Sequence, residues 1–356
     1  MIVTDTLNIK TTKIGQSKLA NVDFQNLPFG KVFTDHMFVA DYEDGEWKNF
    51  ELMPYGPIPM SPAISALHYG QAIFEGMKAY KLKSGEISIF RADKNFKRFN
   101  ISAERMAMPT IPEEIFMKGI TSLINLDKAW VPEGDNYSLY IRPVMFATDD
   151  KLGVKASSNY KFVVLTNPSG PYYSQPLKVK IETHYTRADE GGVGYAKTAG
   201  NYGRSLYAFS QAQKEGFDQI IWTDSKEHSY VEESGTANLM FVINNVLVTP
   251  SLGGTILDGV TRDTVLQVAK SLDIPTEERK VPIKEVISKI QSGELTEAFA
   301  VGTAATITQI GIIGYENDLF TLTDPTTRVI SHKIHKVLDD IRYGRSEDVF
   351  GWNTIV

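Results

Sequence analysis

Apolar and polar positions along the chain either alternate or recur at helical spacing, and together they predict a mixture of strands and helices. Pairs of β-prone runs flank Asp44-Gly45 and Ser84-Gly85, which is typical of hairpins. The predicted strands are 32–42, 46–53, 74–82, 86–90, 137–148, 160–166, 179–185, 218–224, 239–243, 246–250 and a run from 298 into Gly302. The predicted helices begin at Asp93 and Pro112 or span 204–216, 261–272 and 328–341. Because hairpins outnumber strand–helix–strand units, the pattern favours an α+β fold over a doubly wound parallel sheet.

The segment 167–177 interrupts this pattern and is predicted to be a linker between domains. It carries three prolines and a glycine without apolar periodicity. A chain of 356 residues is long enough for about two domains. We therefore expect a smaller N-terminal domain at 1–166 and a larger C-terminal domain at 178–356.

Composition excludes several classes of function. The net charge of −6 argues against general nucleic-acid binding, which requires a basic surface. The chain has no cysteine, which excludes disulfides, thiolate metal sites and a cysteine nucleophile. His332 and His335 are interpreted as solvated helix residues, and no metal site is expected. The first residues lack the apolar core of a signal peptide, and no apolar run could span a bilayer, so a cytoplasmic protein without membrane association is expected.

One lysine, Lys197, lies in the small-residue stretch GGVGYAKTAGNYG (191–203), and three interpretations compete for it. The stretch matches a nucleotide-binding P-loop except at Ala196, where that motif has glycine, and the following AGNYG predicts no helix. A solvated lysine in a surface turn is the plainest interpretation. The third is a lysine that forms a Schiff base with a carbonyl, which requires an unprotonated amine and small neighbours that admit a flat cofactor.

The third interpretation makes demands that the rest of the chain meets. A pyridine ring nitrogen needs a carboxylate, and Glu232 and Glu233 both precede a Ser-Gly-Thr turn; spacing alone does not choose between them. A phosphate needs amide donors, and a glycine turn opens a helix at Val260 and Thr261. The turn Gly302-Thr303-Ala304 offers a second set of amides. The joint occurrence of these motifs favours a pyridoxal phosphate enzyme.

Six stretches, in this order, carry a more specific resemblance: LHYGQAIFEGMKAY (67–80), FRADKNFKR (90–98), YIRP (140–143), KTAGNYG, EESGTAN and DGVTR. With them the chain resembles the branched-chain amino acid aminotransferases of the pyridoxal phosphate fold type IV family over nearly its whole length. The resemblance implies the two-domain fold of the D-amino acid aminotransferase type, with a mostly antiparallel or mixed β core flanked by helices. It also implies transamination of L-leucine, L-isoleucine and L-valine with 2-oxoglutarate.

The resemblance assigns a role to each cofactor residue. Lys197 would carry pyridoxal 5′-phosphate and shuttle a proton, and Glu233 rather than Glu232 would pair with the ring nitrogen. Tyr202 would donate to the phenolate oxygen, and Thr236 would line the ring. The phosphate would be held by Arg98 and by the amides of Val260, Thr261 and Thr303, with Arg187 as a further contact.

The resemblance also outlines a substrate pocket. The aromatic residues implied are Phe29, Tyr69, Phe74, Tyr140 and Tyr172. The substrate carboxylate would bind the amides of Thr303 and Ala304 near Arg142, and Arg142 with Tyr69 would bind the side-chain carboxylate of glutamate. Leu152, Gly153 and Val154 of a second subunit would close the pocket, so a homodimer is expected.

The chain departs from mammalian members of the family, which carry a redox Cys-x-x-Cys after the Gly-Thr-Ala turn. Ala305 and Thr308 occupy those positions, so thiol regulation of that kind is excluded. D-amino acid aminotransferase and aminodeoxychorismate lyase share the lysine and the glutamate, and the aromatic set with FEGMKAY and YIRP favours the branched-chain enzyme over them.

Overall fold

The computed structural model describes residues 7–171, 175–304 and 306–356, and these form two compact units. The first unit comprises residues 7–171, 196–199 and 342–356, and the second comprises residues 175–195, 200–304 and 306–341. The described helices are α1 (Ser65–Tyr69), α2 (Ala92–Arg105), α3 (Glu113–Leu126), α4 (Ala199–Lys214), α5 (Val260–Ser271), α6 (Ile283–Gln291) and α7 (Ile330–Arg342).

The described strands are divided between the same two units. Those of the first unit include β1 (Lys10–Thr11), β2 (His36–Glu43), β3 (Glu46–Pro54), β4 (Ala72–Phe74), β5 (Met77–Lys81), β6 (Ile87–Phe90), β7 (Ser138–Ala147) and β8 (Tyr160–Ser169). Those of the second unit are β9 (Leu177–Ile181), β10 (Gln219–Thr223), β11 (Tyr230–Ser234), β12 (Ala237–Ile243), β13 (Val246–Pro250), β14 (Thr276–Arg279), β15 (Val281–Pro282), β16 (Leu295–Gly302), β17 (Thr306–Tyr315) and β18 (Asp318–Thr321). The last strand, β19 (Asn353–Ile355), returns to the first unit.

The first unit is built on one sheet with the strand order β1-β3-β2-β8-β7-β5-β6-β19, and β4 pairs with β7. All of these pairings are antiparallel except β1 with β3. The predicted hairpin β2–β3 is confirmed, and its turn residues Asp44 and Gly45 both have positive φ. Helices α2 and α3 supply Phe99 and Phe116, which pack on Phe162 of the sheet at ring distances of 5.6 and 5.9 Å.

The second unit is built on a mixed sheet with the order β14-β13-β12-β16-β17-β9-β10-β11-β15. Parallel pairs occur between β9 and β10, β9 and β17, and β13 and β14. Glu297 of β16 accepts hydrogen bonds from the amides of Val329, Ile330 and Ser331, and so caps the start of α7. Two mostly antiparallel or mixed sheets with helices agree with the expected α+β class.

The structure differs from the predicted domain limits in three places. Strand β8 continues to Ser169, inside the predicted linker, because Asn167 to Ser169 pair with β7. Residues 342–356 belong to the first unit rather than to the C-terminal domain, because β19 pairs with β6. Residues 196–199 also belong to the first unit, because Thr198 forms a bridge with Ile73.

Two helix starts also differ from the prediction. Helix α4 begins at Ala199 and not at residue 204, so the expectation that AGNYG interrupts a helix was wrong. The amides of a first helical turn need no intrahelical acceptor, and the side chain of Asn201 anchors this turn by donating to the Val193 carbonyl at 2.9 Å. Asp93 lies in the first turn of α2 rather than at its cap, which is Arg91 in a left-handed conformation. Among the described residues, no helix is long and apolar enough to cross a membrane.

Candidate active site

The backbone of Lys197 is fixed on both sides by the first unit. Its amide donates to Ser102 Oγ on α2 at 2.9 Å, and its carbonyl accepts from the Phe74 amide on β4 at 3.0 Å. The next residue, Thr198, donates its hydroxyl to the Ala72 carbonyl at 2.9 Å. An extended segment held between a strand and a helix places the lysine side chain reproducibly, which a solvated turn would not do.

The Lys197 side chain lies beside the aromatic residues predicted to form the substrate pocket. Its Nζ is 4.9 Å from the centre of the Phe74 ring, and the Arg142 guanidinium is 4.7 Å from the same ring. Arg142 donates to the Tyr140 hydroxyl at 2.8 Å, and Phe29 packs edge-on against Tyr140 at 5.0 Å. The structure therefore brings Phe29, Phe74, Tyr140 and Arg142 into one group, which Lys197 contacts at Phe74.

A buried ion pair, Arg98 with Glu75, lies behind this group. Glu75 is completely buried and accepts from Arg98 Nε at 2.7 Å and Nη2 at 2.9 Å. Asn95 and the Gly76 amide donate to the same carboxylate at 2.7 and 3.0 Å. Burial alone would raise the pKa of Glu75, but the charge and hydrogen bonds of Arg98, with the charge of Lys197, hold it below its usual value. The pair fixes the direction of Arg98.

The structure places Tyr69 with the predicted loop of Leu152, Gly153 and Val154. The Tyr69 hydroxyl accepts from the Gly153 amide at 3.0 Å, and Leu152 and Val154 are 69% and 89% exposed. Asp149 holds the base of this loop. Burial alone would raise its pKa, but hydrogen bonds from Lys151 and from backbone amides lower it to about 2. Tyr172, predicted for the same pocket, lies outside the described residues.

In the second unit, Glu233 is buried on β11 and is held by its neighbours. It accepts from the Leu257 amide at 2.5 Å, and its other oxygen lies 3.2 Å from Arg187 Nε. Asn238, directly across the hairpin from Glu233, donates to the Leu257 carbonyl at 3.0 Å. Gly259 is required next to Asn238, since a Cβ there would lie 1.8 Å from Asn238 Oδ1. These contacts hold the Glu233 carboxylate in one position.

Arg187 is buried between several acceptors of the second unit. Its Nη2 donates to the carbonyls of Gly194, at 3.1 Å, and of Thr255. The Thr255 hydroxyl in turn donates to Glu232 at 2.6 Å. The structure thus places Arg187 against Glu233 itself, although the resemblance implied a contact with the phosphate.

The start of α5 supplies the predicted amide donors. Val260 and Thr261 are buried in its first turn, and the N-cap residue is Gly259, which has no side chain to cap this end. Amides of a first helical turn have no intrahelical acceptor and, with the helix dipole, suit an anion. Tyr202 lies in the first turns of α4, Thr236 is exposed at the β11–β12 turn, and Thr303 and Ala304 follow β16. Ala305 lies outside the described residues.

Sequence reasoning missed residues that hold the predicted ones in place: Glu75, Asn95, Ser102, Asn238 and Thr255. A signal was available for two of them. Asn95 and Ser102 flank Arg98 at spacings of three and four, so all three lie on one face of α2. Polar residues on a helix face that is otherwise buried indicate a site rather than a solvated surface.

Comparison with known families identifies the family of this chain. The model of the class IV amino-transferase family matches residues 72–313. The chain belongs to this family. It is 44% identical over 339 residues to branched-chain-amino-acid transaminase 1 of Bacillus subtilis (strain 168), covering 94% of this chain and 95% of that protein.

Solved structures agree with the class IV assignment. A branched-chain aminotransferase from Thermoproteus uzoniensis with norvaline superposes with a TM-score of 0.74 at 27% identity, over 90% of this chain and 99% of that one. The branched-chain amino acid aminotransferase of Escherichia coli has a TM-score of 0.71 at 25% identity, over 90% and 98% of the two chains. The expected fold is therefore confirmed, and the P-loop interpretation is set aside.

Class IV aminotransferases use pyridoxal 5′-phosphate, and the residues present fit that group. A buried carboxylate, Glu233, suits a protonated ring nitrogen, and the uncapped start of α5 suits a phosphate. Lys197 is the amine with a fixed backbone beside an aromatic ring.

Proposed function

We propose that this chain is a branched-chain amino acid aminotransferase. It transfers the amino group of L-leucine, L-isoleucine or L-valine to 2-oxoglutarate, with pyridoxal 5′-phosphate as cofactor, and gives 2-oxo acids and L-glutamate. The observation that carries the proposal is the position of Lys197 Nζ at the Phe74 ring, within the group of Phe29, Tyr140 and Arg142. The name of the Bacillus subtilis relative supports the same substrate class.

Some of the proposed cofactor residues bind pyridoxal phosphate, and one of them, Lys197, also transfers a proton. Pyridoxal phosphate supplies an aldehyde that bonds to amino groups and a ring that accepts electrons from the adjacent carbon. Lys197 Nζ would take the proton from the substrate Cα and hold it for return to the carbon that carries the aldehyde in pyridoxal phosphate. Glu233 keeps a proton on the ring nitrogen, and Tyr202 donates to the phenolate oxygen. Arg98 and the amides of Val260, Thr261 and Thr303 bind the phosphate, with Arg187 as a proposed further contact, and Thr236 lines the ring.

The substrate side follows from the apolar and cationic groups near Lys197. Phe29, Phe74 and Tyr140 suit an aliphatic side chain, whose burial contributes roughly 1.5–3 kcal/mol. Arg142 Nε is buried and has no hydrogen-bond partner among the described residues, which supports a role in binding a carboxylate. The amides of Thr303 and Ala304 are proposed for the substrate carboxylate.

A second copy of the chain is proposed to complete the pocket. Leu152 and Val154 are apolar and exposed, while the hydrogen bonds of Asp149 and Tyr69 hold their loop in one shape. An ordered apolar loop on the surface suits a protein interface better than solvent. Tyr69, which is hydrogen-bonded to this loop, is also proposed to line the substrate pocket. Tyr172 is proposed to line the same pocket.

The proposal is tested with purified protein and the variant Lys197→Ala. The parent is expected to show visible absorbance that changes when L-leucine is added, and to transaminate L-leucine rather than D-alanine or aminodeoxychorismate. K197A is expected to lose turnover and the borohydride-dependent label on the peptide that contains residue 197. Wild-type turnover by K197A, or a label on another lysine, would show that Lys197 was assigned wrongly.

A further inference from the structure

Glu232 is a buried carboxylate that the mechanism above does not use. It precedes Glu233 on β11, and only 8% of its surface is exposed. One oxygen accepts the hydrogen bond from Thr255, while Oε2 has no hydrogen-bond partner among the described residues. A buried carboxylate with an unpaired oxygen lowers stability, so its presence calls for a role other than stability.

The contacts of Glu232 lead to Glu233 through two residues. Thr255 donates its hydroxyl to Glu232 and accepts from Arg187 with its carbonyl. Arg187 Nε in turn lies 3.2 Å from Glu233 Oε2. Successive side chains of a strand point to opposite faces, so Glu232 acts through these neighbours and not by sharing the face of Glu233. Arg187 therefore lies against Glu233 and is linked to Glu232 through Thr255.

We propose that Glu232 is a positioning residue that shares the positive charge of Arg187 and so leaves Glu233 strongly negative toward the cofactor. A guanidinium paired with a single carboxylate would neutralise it, and Glu233 would then hold a proton on the ring nitrogen less firmly. A second carboxylate near Arg187 gives the three residues a net negative charge. The inference rests on the proposed function, since Glu233 has this role only with pyridoxal phosphate bound.

A cavity of about 220 Å³ is lined by Glu232 and Thr255 and gives water a route to this carboxyl group. Burial raises the pKa of Glu232; the Thr255 hydrogen bond and the charge of Arg187 oppose this, and the charges of Glu233 and Asp224 add to it. The other charged residues that line the cavity are Glu190, Lys226, Glu227 and Lys280. The contribution of Glu232 to the charge near Arg187 therefore decreases as pH falls.

The test compares Glu232→Gln with Glu232→Asp and with Glu190→Gln in the holoenzyme. Glu190 lines the same cavity, but its ion pair with Lys226 is 70% exposed on both sides, so E190Q removes a nearby charge without touching Arg187. The first measurement is the pH midpoint of the visible absorbance of the bound cofactor, which needs no substrate. The second is kcat and KM for L-leucine across pH.

E232Q is expected to lower the absorbance midpoint by roughly half a pH unit, because a negative charge near a protonated cofactor is lost. We expect kcat to fall about tenfold with little change in KM, since a positioning role affects the reaction and not substrate binding. E232D should restore both values, and E190Q should match the parent.

Two results would overturn the inference. A coloured, active parent whose E232Q variant keeps the same midpoint and kcat would contradict it while leaving the proposed function intact. A variant that loses kcat in parallel with thermal stability, without a change in midpoint, would show a structural role only. A colourless parent would overturn the proposed function, and the inference with it.

Discussion

The pair of Arg98 and Glu75 in the first unit and the pair of Arg187 and Glu233 in the second unit are both buried but are built differently. The Glu75 carboxylate accepts two hydrogen bonds from Arg98 and one each from Asn95 and the Gly76 amide. Arg187 instead divides its contacts among Glu233 and two backbone carbonyls.

The difference indicates two kinds of function. A carboxylate that accepts four hydrogen bonds has one geometry and one charge, which suits a fixed anchor for Arg98, the arginine proposed to bind phosphate. A guanidinium shared among several acceptors leaves its carboxylate partner available to another cation. We infer that the first pair fixes the geometry of Arg98 within its unit and that the second pair sets the charge around Glu233 within its own unit.

The largest expected effect comes from truncating each glutamate to alanine. Glu75→Ala leaves Arg98 as a buried charge without its partner, which should lower the free energy of unfolding by about 3–5 kcal/mol. Glu233→Ala should cost about 1–2 kcal/mol, because Arg187 keeps its carbonyl acceptors and lies near Glu232. Urea denaturation of the two apoproteins measures both values.

A larger loss of stability in E233A than in E75A would contradict the distinction between the two pairs. The functional order is expected to be reversed when it is measured at saturating cofactor on the fraction that remains folded. E233A should lose most of its kcat, since its ring partner is gone, whereas E75A should chiefly weaken cofactor binding.

A smaller effect is expected from the glycine that lies against each pair. A Cβ at Gly76 would lie 2.1 Å from the Tyr140 hydroxyl, and a Cβ at Gly259 would lie 1.8 Å from Asn238 Oδ1. Alanine at either position should therefore cost about 1–3 kcal/mol through displacement of that neighbour. Thermal unfolding measures the cost, and Gly253→Ala, where a Cβ would meet nothing within 4 Å, is the control.

The two alanine variants should differ in function. Gly76→Ala moves Tyr140, which positions Arg142, so KM for the amino acid should rise while cofactor affinity is kept. Gly259→Ala moves Asn238 beside Glu233, so cofactor affinity should fall first. If both variants changed KM for the amino acid and cofactor affinity to the same extent, the residues near Gly76 and those near Gly259 would not have separate functions.

These residues also show what the sequence could and could not predict. Hairpins such as β2–β3 were predictable because turn residues specify them locally. The role of Lys197 was inferred from its unusually small neighbours and stays a prediction. The order of strands in the sheets, the return of β19 to β6 and the role of Glu75 depend on contacts between distant residues, which local patterns do not contain. Sequence spacing did not distinguish Glu232 from Glu233. The structure distinguishes them, because Thr255 donates to Glu232 and the Leu257 amide donates to Glu233.

The smallest expected effect is on the pH dependence of stability. Glu75 and Glu232 should contribute to it with opposite signs. Arg98 holds the pKa of Glu75 below the ordinary value of 4.5, so Glu75 stabilises the fold above that pH and less as pH falls. Burial raises the pKa of Glu232 above 4.5, so its ionisation destabilises the fold as pH rises through that range. Glu75→Gln should therefore be less stable than the parent at neutral pH, and Glu232→Gln should be more stable than the parent.

Both differences should shrink toward zero in acid, where glutamate and glutamine are alike in charge. Chemical denaturation of the apoproteins between about pH 4 and pH 8 follows the two differences on one scale. If E232Q were instead less stable than the parent at neutral pH, Glu232 would be a favourable partner of Arg187 like any paired carboxylate, and the contrast between the two regions would fail. A gain in stability together with a loss of kcat would mean that the chain keeps this charge for its reaction at the expense of its fold.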